Sequence, residues 1–306
     1  MKVSIIGGGG RVGSNAAFAL QLGGIVKEIV ISDMNQDMAA GEALDLRHGS
    51  ALTSSQIITS GGYDAVHNSD VVVITAGLRR KPDESRLELI NRNVALFKEI
   101  LASLKPTLSD STIILVVSNP VDILTQLAVR DSGLPTNQVI GLGTVLDTCR
   151  FRSLLADKLS CSATDVDALI LGEHGDSMVP IWSSATVNGI HVSTLPGFSQ
   201  EVGDGIFDFT KKSGAEVIRL KGGAGWAVGV SIKEVVEAIA LNKEALLPVS
   251  AMQSGALGIK DICLSLPTVV GRQGAHAVYA PAVSDAEADA LRKSGVALKE
   301  VWDKVA

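Results

Sequence analysis

The sequence is poor in the residues that build disulfide-stabilised proteins and simple metal sites. Its 306 residues include only 3 cysteines and 5 histidines. Cys149, Cys161 and Cys263 show no CxxC spacing and are odd in number, which favours a reducing, cytoplasmic compartment. The histidines show no HxH or HxxxH spacing, so we expect no bound metal.

Long apolar runs and surplus positive charge are also missing. No apolar segment approaches the roughly 20 residues of a transmembrane helix. The first residues, MKVSIIGGGG, break into glycines too early for a signal peptide. The formal net charge of −6 makes the molecule as a whole repel nucleic acid and anionic membranes. We therefore expect a small-molecule partner, not a nucleic acid or a membrane.

The first half of the chain does contain a regular alternation of short apolar runs and helical patterns. The apolar runs occupy residues 2–7, 28–33, 70–75, 112–117 and 138–142, and the helical patterns occupy 11–22, 36–47 and 86–104. Continuous β-branched runs such as DVVVIT and TIILVV are typical of strands covered on both faces. Strands that alternate with helices predict a Rossmann-type, doubly wound parallel sheet.

The pattern changes after about residue 143. The second half has helical patterns over 144–159, 199–220 and 226–241, strand-like runs at 165–171 and in ICLSLPTVVG, and a terminal helix from about residue 284. No linker or repeat marks the change. We predict a nucleotide-binding Rossmann domain over residues 1–143 and an α+β substrate-binding and catalytic domain over residues 144–306.

A glycine-rich loop lies between the first predicted strand and helix. GGGGRVG contains Gly8-x-Gly10-x-x-Gly13, a spacing that allows the backbone and the helix N-terminus to approach a pyrophosphate. Taken alone it also fits an ordinary glycine-rich turn. Asp33 ends the second strand about twenty residues later, where a carboxylate can bind an adenosine ribose. The combination predicts dinucleotide binding, and the acid favours NAD over NADP.

His174 stands out among the histidines. It lies in LGEHGD, directly after the predicted strand over 165–171, and Gly172 and Gly175 allow close backbone approach to a ligand. A lone histidine is more often structural than catalytic, so this position alone leaves both roles open.

Three polar residues elsewhere offer possible partners. Asp147 and Arg150 are three apart in TVLDTCRFR and share a helix face. They could form a plain surface ion pair, or the carboxylate could orient an imidazole while the guanidinium grips a substrate carboxylate. Asn119 in VSNPVD follows a strand's carboxyl end, where such sheets bind ligands, but it could equally cap a helix before Pro120.

The stretch GLRRKPDESR, residues 77–86, concentrates Arg79, Arg80, Lys81 and Arg86. It could be a solvated charged loop, a basic patch for a polyanion, or a set of arginines for a small anion.

Together these motifs identify a family. The chain resembles the NAD-dependent lactate/malate dehydrogenases over essentially its whole length. The resemblance rests on GGGGRVG, ISDMN, GEALDLRHG, VVVITAG, RRKPDESR, VSNPVD, GTVLDTCRFR and LGEHGDSMVP, which occur in the family's order and spacing.

The resemblance implies roles for individual residues. His174 would be the general acid/base for a 2-hydroxy acid, and Asp147 would orient it and raise its pKa. Arg150 would bind the substrate's carboxylate, Arg86 would polarise its carbonyl from a mobile loop, and Asn119 would contact the substrate near the nicotinamide. The expected NAD contacts are Gly8, Gly10, Arg11, Val12, Gly13, Asp33, Asn93, Val117 and Asn119. A homodimer or homotetramer is implied as well.

The same loop is expected to select the substrate. Malate-preferring members carry arginine at the position of Arg80, and lactate-preferring members carry glutamine. Because an arginine facing a methyl group would be unpaired, Arg80 favours malate and a place in the tricarboxylic acid cycle. Asp83 departs from the malate pattern, and Glu84 and Trp182 resemble the lactate subgroup.

Two alternatives to a malate dehydrogenase stay open, and a third is excluded. One is an L-lactate dehydrogenase or a broader L-2-hydroxy-acid dehydrogenase, since Glu84 could partly neutralise Arg80. A remote one is a non-catalytic nucleotide-binding protein, which predicts a broken catalytic set. A short-chain reductase would need a Tyr-x-x-x-Lys pair, which neither Tyr63 nor Tyr279 supplies.

Overall fold

The structure is a computed structural model that describes residues 1–79 and 83–305. Its strands are β1 (Lys2–Ile6), β2 (Glu28–Ser32), β3 (Ile57–Ser60), β4 (Val71–Ile74), β5 (Ile113–Val116), β6 (Val139–Gly141), β7 (Val166–Leu171), β8 (Val179–Val187), β9 (Ile190–His191), β10 (Ala245–Leu247), β11 (Ser250–Ser254), β12 (Lys260–Ser265), β13 (Thr268–Gly271) and β14 (Gly274–Val278). Its helices are α1 (Arg11–Gly23), α2 (Gln36–Gly49), α3 (Arg86–Leu104), α4 (Val121–Asp131), α5 (Val145–Leu159), α6 (Gln200–Lys221), α7 (Trp226–Ala240) and α8 (Asp285–Val305).

One eight-stranded sheet organises the molecule, in the order β12-β11-β6-β5-β4-β1-β2-β3. The six strands from β3 to β6 are parallel, and β11 and β12 extend them in antiparallel fashion. Every residue of β4 and β5 is buried, as their β-branched sequences predict. The fold class predicted from the sequence, a Rossmann-type sheet followed by an α+β part, is confirmed.

Helices cover both faces of this sheet and bury its apolar side chains. Helices α1, α2 and α7 share one core with the sheet, and α3, α4 and α8 share the other. Strands β11 and β12 of this sheet, and helix α7 on one of its faces, come from the second half of the chain. The domain boundary between residues 143 and 144 therefore stays a prediction.

The rest of the second half forms two small sheets, β7-β8-β9 and β10-β13-β14. A third core under the first of them includes Phe151 and Trp182, whose rings meet edge to face at 4.8 Å. The run ICLSLPTVVG is two strands in different sheets, β12 and β13, separated by Pro267. Proline lacks the N–H that a continuous ladder would need.

Candidate active site

The sheet order reverses between β1 and β4, and the loops that follow β1, β4 and β5 meet at that edge. The glycine motif lies in the first of these loops and Asn119 in the third, and Arg86 begins the helix that follows the second. Crevices at such a reversal are where doubly wound sheets bind ligands.

The glycine loop is packed so tightly that larger residues do not fit. A Cβ on Gly13 would lie 2.6 Å from Gly8 Cα, and a Cβ on Gly8 would lie 2.6 Å from Ile31 Cγ2. Gly10 is the N-cap of α1 and has no side chain with which to cap it. No side chain therefore caps the first N–H groups of α1, which is the arrangement that the predicted phosphate contact requires.

Asp33 is fixed beside this loop. Its Oδ2 accepts a hydrogen bond from Gly9 N at 3.1 Å, and its Oδ1 accepts one from Asn35 N at 3.0 Å. Each carboxylate oxygen keeps capacity for a further hydrogen bond, so ribose hydroxyls can still be bound. The loop and the carboxylate together fit the pyrophosphate and adenosine ribose of NAD.

Arg11 and Val12 open α1 and have different surroundings. The Arg11 guanidinium donates to the carbonyl oxygens of Lys221 at 2.8 Å and Gly223 at 3.2 Å, at the C-terminus of α6. Val12 packs against the core shared with α1. At these two residues it is the backbone at the helix start that can contact a phosphate, because the Arg11 side chain is bound to α6.

The centre of the site is a carboxylate that binds two cations. Asp147 Oδ2 is hydrogen-bonded to His174 Nδ1, and Asp147 Oδ1 accepts from Arg150 Nη1 at 3.1 Å. Asp147 is 1% exposed, so its pairing with Arg150 is not the plain surface ion pair that the sequence left open. The His174 side chain is 21% exposed, which leaves its ring accessible to a small ligand.

Burial and charge act against each other on this pair. Burial lowers the pKa of His174, but the negative charge of Asp147 and its hydrogen bond raise it more, so the pKa lies above its ordinary value. Burial raises the pKa of Asp147, whereas the charge and hydrogen bonding of His174 and then of Arg150 bring it below its ordinary value. The arrangement therefore favours an imidazolium beside a carboxylate.

Sequence reasoning missed a second carboxyl group at His174. Asp122 Oδ2 accepts a hydrogen bond from the main-chain N–H of His174 at 2.8 Å, and Asp122 is 3% exposed. The residue lies in the quoted motif VSNPVD, at the second position of α4. Its only local signal is an acid within an otherwise apolar helix start, and its contact with His174 depends on the tertiary fold.

Arg86 begins α3 and reaches the segment that carries His174. Ser85 and Glu88 form a capping box there, with Glu88 N donating to Ser85 Oγ at 3.2 Å. The Arg86 guanidinium pairs with Asp176 and, at 3.4 Å, with Glu173 Oε1. Both acids flank His174 in GEHGD, and sequence reasoning did not single them out.

Glu84 and Arg92 form an ion pair on the same loop and helix. Arg92 Nη1 lies 2.5 Å from Glu84 Oε1, and the Glu84 side chain is 7% exposed. Arg92 therefore provides a charge partner for Glu84 that the sequence interpretation did not consider. Arg80, the residue expected to select the substrate, lies outside the described residues.

Two asparagines and a valine complete the predicted cofactor set. Asn93 is buried, and its side chain accepts from Leu78 N at 2.7 Å and donates to Leu78 O at 3.3 Å, so it holds the start of the loop. Asn119 is exposed, and its Oδ1 accepts from Val121 N at 3.3 Å, as a residue that starts a helix does. Val117 is half-buried after β5. Their predicted contacts with NAD and substrate stay predictions.

Two protein-family models match this chain. The model for the NAD binding domain of lactate/malate dehydrogenase matches residues 1–141, and the model for its alpha/beta C-terminal domain matches residues 144–306. The chain belongs to the lactate/malate dehydrogenase family. It is an NAD-dependent oxidoreductase that acts on a CH–OH group, as the motifs predict.

Several members of the family that resemble the chain over nearly its full length are named for lactate. L-lactate dehydrogenase 1 of Clostridium acetobutylicum is 41% identical over 99% of this chain and 98% of its own length. L-lactate dehydrogenase of Synechococcus sp. is 39% identical over 100% of this chain and 99% of its own length. The minor L-lactate dehydrogenase of Enterococcus mundtii, solved in a ligand-bound form, superposes with a TM-score of 0.95 at 36% identity, covering 100% of this chain and 98% of that one.

These similarities overturn the expected preference for malate. The malate prediction, and the tricarboxylic acid cycle role attached to it, were wrong because they gave most weight to one residue, Arg80. Full-length identity of about 40% to L-lactate dehydrogenases outweighs that position. The resemblance of Glu84 and Trp182 to the lactate subgroup agrees with the names of these relatives.

Residues 1–79 and 83–305 contain neither a membrane-spanning helix nor a cluster of metal-binding side chains. No helix there is long and apolar enough to cross a membrane. No group of three or more His, Cys, Asp or Glu side chains in that part of the chain could hold a metal ion.

Proposed function

We propose that this chain is an L-lactate dehydrogenase, which interconverts L-lactate and pyruvate with NAD. The observation that carries the proposal is the buried Asp147 carboxylate, which binds Nδ1 of His174 and the guanidinium of Arg150. Asp147 thereby orients both the imidazole that transfers the proton and the guanidinium that binds the substrate's carboxylate. The names of the full-length relatives support lactate as the substrate.

His174 is the general acid/base in this proposal. With Nδ1 hydrogen-bonded to Asp147, Nε2 is left to take the hydroxyl proton of L-lactate, or to donate it to the carbonyl oxygen of pyruvate. The imidazolium that forms during lactate oxidation is stabilised by the adjacent negative charge. The raised pKa of His174 supports this role, because it favours the protonated ring that pyruvate reduction requires.

Arg150 and Arg86 bind the substrate's two polar groups. Arg150 uses Nη1 to contact Asp147, and its remaining donors can bind the C1 carboxylate of lactate. Arg86 is 60% exposed, and its partners Glu173 and Asp176 hold it near His174. Exposed ion pairs are weak, roughly 0–1 kcal/mol. Arg86 can therefore exchange them for the substrate's carbonyl oxygen, where a cation stabilises the charge that develops.

The cofactor set remains as predicted from the sequence. Gly8, Gly10 and Gly13, with the backbone of Arg11 and Val12, would hold the pyrophosphate, and Asp33 would hold the adenosine ribose. NAD supplies the hydride acceptor when it is bound. We assign Asn93, Val117 and Asn119 to the nicotinamide side of the site.

The proposal extends to assembly and location. The family resemblance supports a homodimer or a homotetramer in the cytoplasm. Light scattering after gel filtration measures the assembly, and a monomer at micromolar concentration would contradict it.

The function is tested by NADH formation from L-lactate and D-lactate by the wild-type chain and by His174→Gln. We expect turnover of L-lactate by the wild type and loss of at least about 100-fold in kcat for the variant. NAD binding, followed by protection of the folded state, should stay near wild type. Turnover by His174→Gln at the wild-type rate would refute the assignment of the acid/base.

A further inference from the structure

Asp122 is a buried acid that the mechanism above does not use. It is 3% exposed, and its Oδ2 accepts the main-chain N–H of His174 at 2.8 Å. Within the described residues its other oxygen, Oδ1, has no hydrogen-bond partner. An unpartnered buried carboxyl oxygen is costly to keep, so its retention beside a reacting group needs an explanation.

The neighbours of Asp122 do not neutralise it. Ser250 of β11 is buried beside Asp122, and its hydroxyl lowers the pKa of this carboxyl, although the two groups do not meet hydrogen-bond geometry. The titratable and charged groups that face Asp122 or His174 are Glu173 on the His174 segment, Cys263 on β12, and Asp147 and Arg150 on α5. Of these groups, Glu173 and Cys263 face Asp122, and neither can carry a positive charge. His174 is the one neighbour among them that can.

We propose that Asp122 is a positioning residue for proton transfer, which fixes the main chain of His174 and presents a second buried negative charge to its imidazolium. The inference rests on the proposed role of His174 as acid/base. Asp147 acts on the ring through Nδ1, and Asp122 acts from the opposite end of the residue, through the backbone N–H. Two carboxylates on separate helices thus hold His174, one through its ring and the other through its main chain.

The charge is present when His174 needs it. Burial raises the pKa of Asp122 from 3.8 to about 6, against the hydrogen bonds it accepts and the charge of His174. Burial lowers the pKa of His174, but Asp147 and, after it, Asp122 raise it above 6.5. As pH rises, Asp122 therefore loses its proton before His174 does.

The test measures the titration of His174 directly, without turnover. Full-length protein carrying ¹³Cε1-histidine is titrated by NMR, and the His174 signal is identified by its loss in His174→Gln. Asp122→Asn keeps an acceptor for the His174 N–H and removes the charge. Asp131→Asn is the matched control, because Asp131 ends the same helix about 13 Å away and pairs with Arg130 at 2.7 Å.

We expect Asp122→Asn to lower the pKa of His174 by at least about 0.5 pH unit, and Asp131→Asn to leave it unchanged. Asp122→Ser, which is neutral and smaller, is the second variant if the asparagine variant does not fold, and the same lowering is expected. An unchanged His174 pKa in either folded Asp122 variant overturns the inference. This result would leave the proposed function standing, since wild-type lactate turnover tests that separately.

Kinetics give a second readout of the same proposal. The pH above which pyruvate reduction falls should move down in Asp122→Asn by the same amount as the His174 pKa. A purely structural role predicts lower thermal stability with no movement of the pH profile, and that result would also overturn the inference.

Discussion

The buried carboxyl of Asp122 makes a quantitative prediction about stability and pH. Its pKa of about 6 in the folded protein lies above the ordinary 3.8, so the folded state binds this proton more tightly than the unfolded state does. Such a group contributes stability at low pH that is lost as pH rises through about 6. At about 1.4 kcal/mol per pH unit, the full loss is about 3 kcal/mol, and the part lost between pH 5 and pH 8 is about 1.4 kcal/mol.

Replacing Asp122 with asparagine removes this dependence. The comparison is best made in a His174→Gln background, so that the imidazole does not titrate while the main-chain N–H that Asp122 accepts is kept. The charge of His174 lowers the pKa of Asp122, so this pKa is higher in the His174→Gln background than in the wild type. We therefore expect the double variant to gain at least about 1.4 kcal/mol of unfolding free energy, relative to His174→Gln alone, on going from pH 5 to pH 8. Taking the difference between the two proteins at each pH, and then between the two pH values, cancels any constant cost of burying the new amide.

Urea unfolding followed by circular dichroism measures both free energies, at one protein concentration because assembly affects apparent stability. Asp131→Asn in the same background controls for the loss of a carboxylate from α4. The pKa of Asp131 lies below its ordinary value, chiefly because Arg130 donates a hydrogen bond to it. Asp131→Asn should therefore change the unfolding free energy between pH 5 and pH 8 in the opposite direction or not at all. A flat difference between pH 5 and pH 8 for Asp122→Asn would refute the reasoning about this carboxyl.

Three further predictions concern the residues around the reacting centre. Asp147→Asn should lower kcat for lactate oxidation by about 10²–10⁴-fold and lower the pH at which pyruvate reduction declines, measured from rate profiles between pH 5 and pH 9; an unchanged profile would contradict the role of Asp147 at His174. Arg86→Gln should lower kcat by about 10²–10³-fold, whereas removal of its exposed partner in Asp176→Asn should change kcat less than about threefold in the same assay. Gly13→Ala should weaken NAD binding in calorimetry by at least about tenfold, because the new methyl would lie 2.6 Å from a loop Cα atom; affinity equal to wild type would show that the loop can relax.

The parts of the fold that local patterns determine were predictable from the sequence. The β-branched runs of β4 and β5 and the boundary of α3 at Arg86 follow from burial periodicity and capping chemistry. The three-residue spacing of Asp147 and Arg150 correctly indicated a shared face, which the 3.1 Å contact bears out. Edge strand β3 was missed because three of its four residues are exposed, so it lacks an apolar run.

Features that depend on distant contacts could not be read from the sequence. The contact of Asp122 with His174 joins residues 52 positions apart, and the pairs of Arg86 with Glu173 and Asp176 join residues about 90 apart. Neither spacing has a local signature. The wrong preference for malate has a different origin, because a single side chain in a loop was weighed against a whole chain whose relatives are named for lactate.

The most direct test of the account compares two substrates in one assay. NADH oxidation by the wild-type chain is followed with pyruvate and with oxaloacetate at the same pH, and the ratio of the two kcat/KM values is taken. An L-lactate dehydrogenase predicts a ratio of at least about ten in favour of pyruvate, a difference of about 1.4 kcal/mol between the transition states. A ratio of one or below, with oxaloacetate reduced at least as well as pyruvate, would contradict it.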